Sequence, residues 1–392
     1  MERKINLGIF VLIASFIIGI LLGIPFYEVL RIFAMGAVDH TTLKIVAIVI
    51  LIELMGNALA KSGSLGKINS SIEMFIKNRH ISLIFPSLLM GLLPVPAGAM
   101  LSAPLVEESG SKMNLSPEIK TFLNYWFRHI FEFVWPIYPG IILAAAILNV
   151  SIYRVIMAQF PLALTSVATG ILFGLTRVSY KGKVTKIEKN PGAIRGFFVF
   201  LTYAWPVLAI VILVLVVRID IVLSLLIIVV CVIFATKIVR KLPFLMKESL
   251  SWRTILLVVS VLIFKKILES SGALPLIPQL FSHFRIPPTI TLFTIPFFVG
   301  IISGLSMGVV GIAFPILLPI IGVKNPDLTY AMLAYAGGVS GYLLSPLHLC
   351  LIVSCAYFKA DFIKVWRMLI LPVICIGLAA FVIVLFKKGG II

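Results

Sequence analysis

The sequence predicts an all-α, polytopic integral membrane protein, with about nine transmembrane helices and two re-entrant hairpins in two inverted repeats. Three observations predict it. Of 392 residues, 61% are hydrophobic and only 12% are charged, about half the charged share of a soluble domain. The apolar residues come in runs of about 20, the length a helix needs to cross roughly 30 Å of hydrocarbon. Those runs lack the alternation of barrel strands, and in lipid a backbone must satisfy its own polar groups, so they are helices. Finally, matching residues recur at a nearly constant offset along the chain.

The first crossing, 5–24, is longer than the 7–15 apolar residues of a cleaved signal, so it reads as a retained span. The second crossing is 43–60. The stretch 81–93 stops at Pro94-Val95-Pro96 and resumes through 99–106. The longer arm has 13 residues and covers about 20 Å at 1.5 Å per residue, and the other is shorter still, so neither can span. The segment near 81–106 therefore reads as a re-entrant hairpin, which survives at membrane depth where it is buried or lines a cavity. Crossings 122–148, broken at Pro136 and Pro139, and 154–176 complete a first unit, 1–176. A basic loop and a linker crossing (196–217) fill 177–219. The second unit, 220–392, follows the same order: 220–236, 253–269, a hairpin near 289–321 broken at Ser303-Gly304, a crossing near 329–356 broken at Pro346, and 363–386.

Charge orients these elements. A net charge of +18 would suggest nucleic acid in a soluble protein. Here the cations sit in short loops and no basic face carries interleaved aromatics, so no nucleic-acid partner is expected. Loops 177–195 and 237–253 are rich in Lys and Arg and read as cytoplasmic. Counting back from them places the N-terminus and the basic segment 61–80 inside as well. Lys387 and Lys388 fall outside, against the rule. The reading is a multi-pass protein of the cell membrane with a cytoplasmic N-terminus. Its expected partners are lipid and a small-molecule or ion substrate, and a homodimer is admitted.

The repeat rests on four matches in order. Lys61-Ser62-Gly63 aligns with Ser270-Ser271-Gly272, Gly98 with Gly308, Ala103-Pro104 with Phe314-Pro315, and Trp135-Pro136-Ile137 with Ser345-Pro346-Leu347. Four full crossings return the chain to its starting side, so one linker crossing makes the second unit begin on the opposite face. Inverted repeats with interrupted helices place a binding site near the midplane and permit alternating access.

Paired hairpins and paired proline-broken crossings resemble the ion-transporter superfamily, the inverted-repeat carriers of dicarboxylates, citrate, gluconate, arsenite and sodium/proton exchange. Within that group the chain looks most like a branch defined by a domain of unknown function. The resemblance covers nearly the whole chain, as architecture. It implies a secondary carrier, a permease or antiporter. The sodium-coupled dicarboxylate members carry a Ser-Asn-Thr triplet at the hairpin tips, and this sequence does not.

Broken helices turn free N–H and C=O groups toward a solute. The expected substrate-binding residues are therefore Pro94, Pro96, Ala97 and Gly98 at the first tip, with Ser303, Ser306, Met307 and Gly308 at the second. Trp135, Pro136 and Tyr138 in the first break, and Ser345 and Pro346 in the second, complete the set. Glu132, His348 and Glu53 are ionisable groups inside apolar crossings, hence candidates for proton coupling; Glu132 could instead pair with Arg128 one turn away. Few acids in the spans favour an organic or inorganic anion as substrate. The four cysteines have no metal-ligand spacing, and no metal, cofactor or catalytic residue is expected. A competing reading is an intramembrane hydrolase using Ser306 (Gly304-Leu305-Ser306-Met307-Gly308) or Ser340 (Gly338-Val339-Ser340-Gly341). The first string lacks the preceding strand its elbow requires. A non-transport membrane scaffold is the third reading.

Overall fold

The computed structural model describes residues 6–388 except 76–78, 93–97, 179–192 and positions 275, 277, 278, 280–282 and 284. Among the described residues there are eighteen α-helices and no strand. The first nine are α1 (Leu7–Leu21), α2 (Phe26–Ala37), α3 (His40–Lys61), α4 (Ser64–Phe75), α5 (Arg79–Leu92), α6 (Gly98–Ser111), α7 (Pro117–His129), α8 (Pro139–Leu148) and α9 (Ile152–Phe173). A linker helix, α10 (Ala193–Val211), ends in a π-turn. There follow α11 (Ile221–Ala235), α12 (Leu242–Ser249), α13 (Trp252–Ser270), α14 (Pro288–Ser303), α15 (Ser306–Ile321), α16 (Leu328–Leu343), α17 (Leu349–Phe358) and α18 (Phe362–Lys388).

Large apolar side chains cover much of the outside, while a few charged ones are buried in an otherwise apolar core. Leu21 is 78% exposed and Ile302 71%, whereas Arg128 and Glu132 are 7% and 6% exposed. That is the reverse of what water selects and suits a hydrocarbon solvent. Among the described residues, four helices are long and apolar enough to cross a membrane alone, among them α3 and α18, and the pair α11–α12, bent by 115°, makes a fifth if counted as one span. Of the other expected crossings, 253–269 is one 19-residue helix, α13, that carries Arg253, Lys265, Lys266 and Glu269, and the rest are shorter or interrupted. The stretch 5–24 ends as helix at Leu21, because Gly23 turns with φ +81° and Pro25 caps a new helix, α2. Segments 122–148 and 329–356 are each two α-helices joined by a break, which in the first opens with a 3₁₀ turn, Ile130–Phe133.

Local chemistry sets these boundaries. Side chains of Asn6, Asp39, Ser116, Ser151, Asp220 and Asp327 accept N-terminal amides of α1, α3, α7, α9, α11 and α16, the usual N-cap chemistry. Asn149 and Lys359 end α8 and α17 in the left-handed conformation, both at φ 54°. Gly63 and Gly272, just past α3 and α13, sit at φ 74° and 67°. There a glycine is needed, because a side chain would strain the turn.

The packing is reciprocal. The first arm of each hairpin, α5 or α14, lies against the first arm of a broken crossing, α7 or α16 respectively. The second arms cross over, with α6 against α17 and α15 against α8. The two interrupted crossings are thereby brought into one buried centre.

Candidate functional site

Both breaks are built by one local device. Trp135-Pro136-Ile137-Tyr138 and Ser345-Pro346-Leu347-His348 form tight turns, closed by Tyr138 N–H to Trp135 C=O at 3.0 Å and His348 N–H to Ser345 C=O at 3.1 Å. Each proline occupies the second turn position, where its fixed φ is favourable and its missing N–H costs nothing. Tyr138 and His348 then cap α8 and α17.

The last residue of each turn bonds to the end of a hairpin arm. Tyr138 Oη donates to Gly91 C=O at 2.7 Å, and His348 Nδ1 lies 2.8 Å from Gly304 C=O. The breaks also satisfy one another. Tyr125 Oη donates to Leu343 C=O at 3.0 Å and Tyr335 Oη to Glu132 C=O at 2.9 Å. Carbonyls that the sequence leaves free are thus capped by tyrosines from the opposite crossing. At the centre, Tyr342 donates its phenol proton to the Glu132 carboxylate, two residues 210 positions apart. His129 Nε2 lies 3.8 Å from Glu132 Oε1 and 3.0 Å from His348 Nε2.

Of the expected site residues, Gly98 contacts this centre directly. A Cβ there would lie 3.0 Å from Arg128 Nη2, so the bare glycine lets the guanidinium lie against the hairpin arm. Pro94, Pro96 and Ala97 lie outside the described residues. Ser306 sits at the start of α15, where its Oγ would be 3.3 Å from a Cβ on Gly140 of α8. Gly308 faces Ser303 across the same turn, Met307 is buried, and Ser345 Oγ donates to Ile301 C=O at 2.6 Å. Pro136 is buried while Pro346 is exposed. Trp135 packs against Phe131 in a tilted arrangement, 5.6 Å between ring centres, and its Nε1 has no acceptor among the described residues.

Glu53 is held elsewhere. It lies half-buried beside Thr254 and Ser251 at the N-terminus of α13, with Asn57 bonded to Ser249 nearby at 2.9 Å. The Ser340 hydroxyl is buried without a partner among the described residues, and both nitrogens of His348 face groups other than Ser340. His129, Tyr125, Tyr335, Tyr342 and Cys350 are site residues that sequence reading missed. His129 carried a usable signal, since it precedes Glu132 by three residues and so shares its helix face.

Residues 1–386 match the family described as "Protein of unknown function (DUF401)". The chain belongs to that family. Among solved structures, this DUF401 chain is similar to one reported as "Crystal structure of the Alcanivorax borkumensis YdaH transporter reveals an unusual topology". The two are 12% identical with a TM-score of 0.58, over 98% of the DUF401 chain and 97% of the other. At that identity the likeness is one of fold. Comparison with curated proteins returns no match.

Proposed function

We propose that the chain is a secondary transporter of the cell membrane, carrying a small organic or inorganic anion by alternating access between two inverted units. The observation that carries this reading is the reciprocal bonding of the two breaks. Matching turns anchor to matching hairpin ends, and each crossing's tyrosine caps the other's carbonyl. Two near-equivalent halves that meet at interrupted helices can exchange conformations and so open the site to either side. The paired left-handed caps at Gly63 and Gly272, and at Asn149 and Lys359, add to the repeat. A fold shared with a protein named a transporter, and the resemblance to the ion-transporter superfamily, point the same way.

Arg128 favours an anion. It is a buried cation beside a hairpin tip, and such a charge is costly at membrane depth unless it has work to do. Two short helices, α8 and α17, also begin at the breaks, so their positive ends lie there. A cytoplasmic N-terminus agrees with the ion pairs. Lys61–Glu248 joins segments that the loop charges place inside, and Lys44–Asp220 and Lys266–Asp39 join segments placed outside.

The test is a thermal-shift screen of purified protein against carboxylates, sugar acids and oxyanions, followed by flux of any hit into proteoliposomes. A ligand at a hundred times its Kd adds about 2.7 kcal/mol of stability. An anion that shifts wild type but not Arg128→Gln, and that crosses the membrane, is the expected result. Stabilisation by neutral or cationic solutes alone would refute the anion reading. Hydrolysis that depends on Ser306 or Ser340, with no flux, would refute transport.

A further inference from the structure

We propose that His129, His348 and Cys350 form a site for one divalent cation of the zinc type, which ties the two broken crossings together. The argument begins with tautomers. His129 Nδ1 lies 2.6 Å from Tyr125 C=O and His348 Nδ1 lies 2.8 Å from Gly304 C=O. A carbonyl can only accept, so each ring carries its proton on Nδ1 and donates it. Nε2 of each neutral ring is then a bare lone pair, and the two Nε2 atoms are 3.0 Å apart. Two lone pairs that close repel unless an electrophile lies between them.

Cys350 identifies the electrophile as a metal. Its Sγ and one ring nitrogen of each histidine all lie within 4.8 Å of one another. A shared proton would engage only the two nitrogens. Two imidazoles and a thiolate are the donor set of zinc and its borderline neighbours, whereas magnesium and calcium take oxygens. An imidazole whose far N–H is held by a carbonyl is the usual arrangement around a metal-binding histidine. Glu132 Oε1 lies 3.8 Å from His129 Nε2 and places a negative charge beside the trio. Charge is also provided for. A metal-bound cysteine is a thiolate, and together with the Glu132 carboxylate it offsets the ion's two positive charges. Arg128 donates to Sγ from the far side at 3.0 Å and fixes its direction.

The ligands come from the end of α7 and the start of α17, and the Gly304 carbonyl behind His348 belongs to the second hairpin turn. One ion would therefore link both crossings and a hairpin. The site's atoms are distinct from the Arg128 face turned to Gly98, and the inference does not depend on which solute is carried.

The test uses full-length protein in detergent, stripped with chelator and titrated with cobalt(II). The expected result is one cobalt per chain, with visible d–d bands and a thiolate-to-cobalt charge-transfer band. Cys350→Ser should lose the charge-transfer band and weaken binding by at least the roughly 10- to 100-fold that loss of an outer partner costs. The double variant His129→Gln/His348→Gln should bind no cobalt stoichiometrically. Cys355→Ser, outside the trio, should leave the spectrum unchanged. Failure of wild type to bind cobalt stoichiometrically, or binding without the thiolate band, overturns the proposal whether or not the variants fold. A band that survives Cys350→Ser or disappears with Cys355→Ser overturns it equally. Because this reads metal directly, it can fail while anion flux is present, or succeed while flux is absent.

Discussion

Glu132 and Tyr342 meet in the middle of the molecule, and that contact is the point on which the buried centre turns. A carboxylate in an apolar crossing must have donors, and the phenol of the opposite crossing supplies one. Tyr342→Phe leaves that oxygen short of a partner, which costs roughly 1–3 kcal/mol. Tyr335→Phe removes a neutral bond to a carbonyl and should cost less, about 0.5–1.5 kcal/mol. Melting temperatures in detergent will rank the two, and equal or negligible losses would contradict the assignment. The single residues divide by what a linear sequence can carry. Glu132 and His348 were legible because a polar group inside an apolar run is conspicuous. Cys350, and the link of His129 to His348, matter through partners about 220 positions away, which no spacing along one helix reports; only the step from His129 to Glu132 was visible locally. Glu53 looked alike in sequence but lies away from this centre, beside Ser251 and Thr254 at the start of α13.

At the scale of helices, close approach is made by glycine. A Cβ on Gly341 would collide with the Phe297 carbonyl oxygen and one on Gly337 with that of Phe293, while one on Gly300 would lie 2.5 Å from Gly338 C=O. This small-residue face is what lets α14 lie directly on α16, as membrane helices do in the absence of a hydrophobic drive between them. Gly341→Ala should destabilise by roughly 1–3 kcal/mol or more, as overpacking does. Gly66→Ala, with nothing within 4 Å, should leave the melting temperature unchanged or slightly raised. If the two variants behave alike, the packing account of α14 and α16 is wrong. The long crossings and both hairpins' positions could be read from apolar runs and their Pro or Gly interruptions. Helices α2, α4 and α12 could not, because short helices with charged faces lack the twenty-residue apolar run that announces a span.

Over the whole molecule, sparse charge pairs pin the ends of the helices. Lys266 donates to Asp39 at 2.8 Å, and that bond holds the Asp39 carboxyl below its ordinary value of 3.8. A lowered acid contributes its stability above the ordinary value and loses it as pH falls through the folded one. Wild type should therefore lose a small extra increment relative to Lys266→Met between neutral pH and about pH 3. The pair is part exposed and screened by salt, so the increment is under about 1 kcal/mol. An increment that appears only on raising the pH would contradict the pairing. These pairs also bear on the largest claim, that two units lie upside down against each other. Lys61 and Ser270 close α3 and α13, are both exposed, and occupy matching places in the two units. The decisive measurement is labelling of Lys61→Cys and Ser270→Cys, each in a background lacking the four native cysteines, with a maleimide that cannot cross the membrane. In right-side-out and inside-out vesicles, Lys61→Cys should react only from the cytoplasmic face and Ser270→Cys only from the outer one. Reaction of both from the same face would contradict the inverted arrangement, and with it the alternating-access reading.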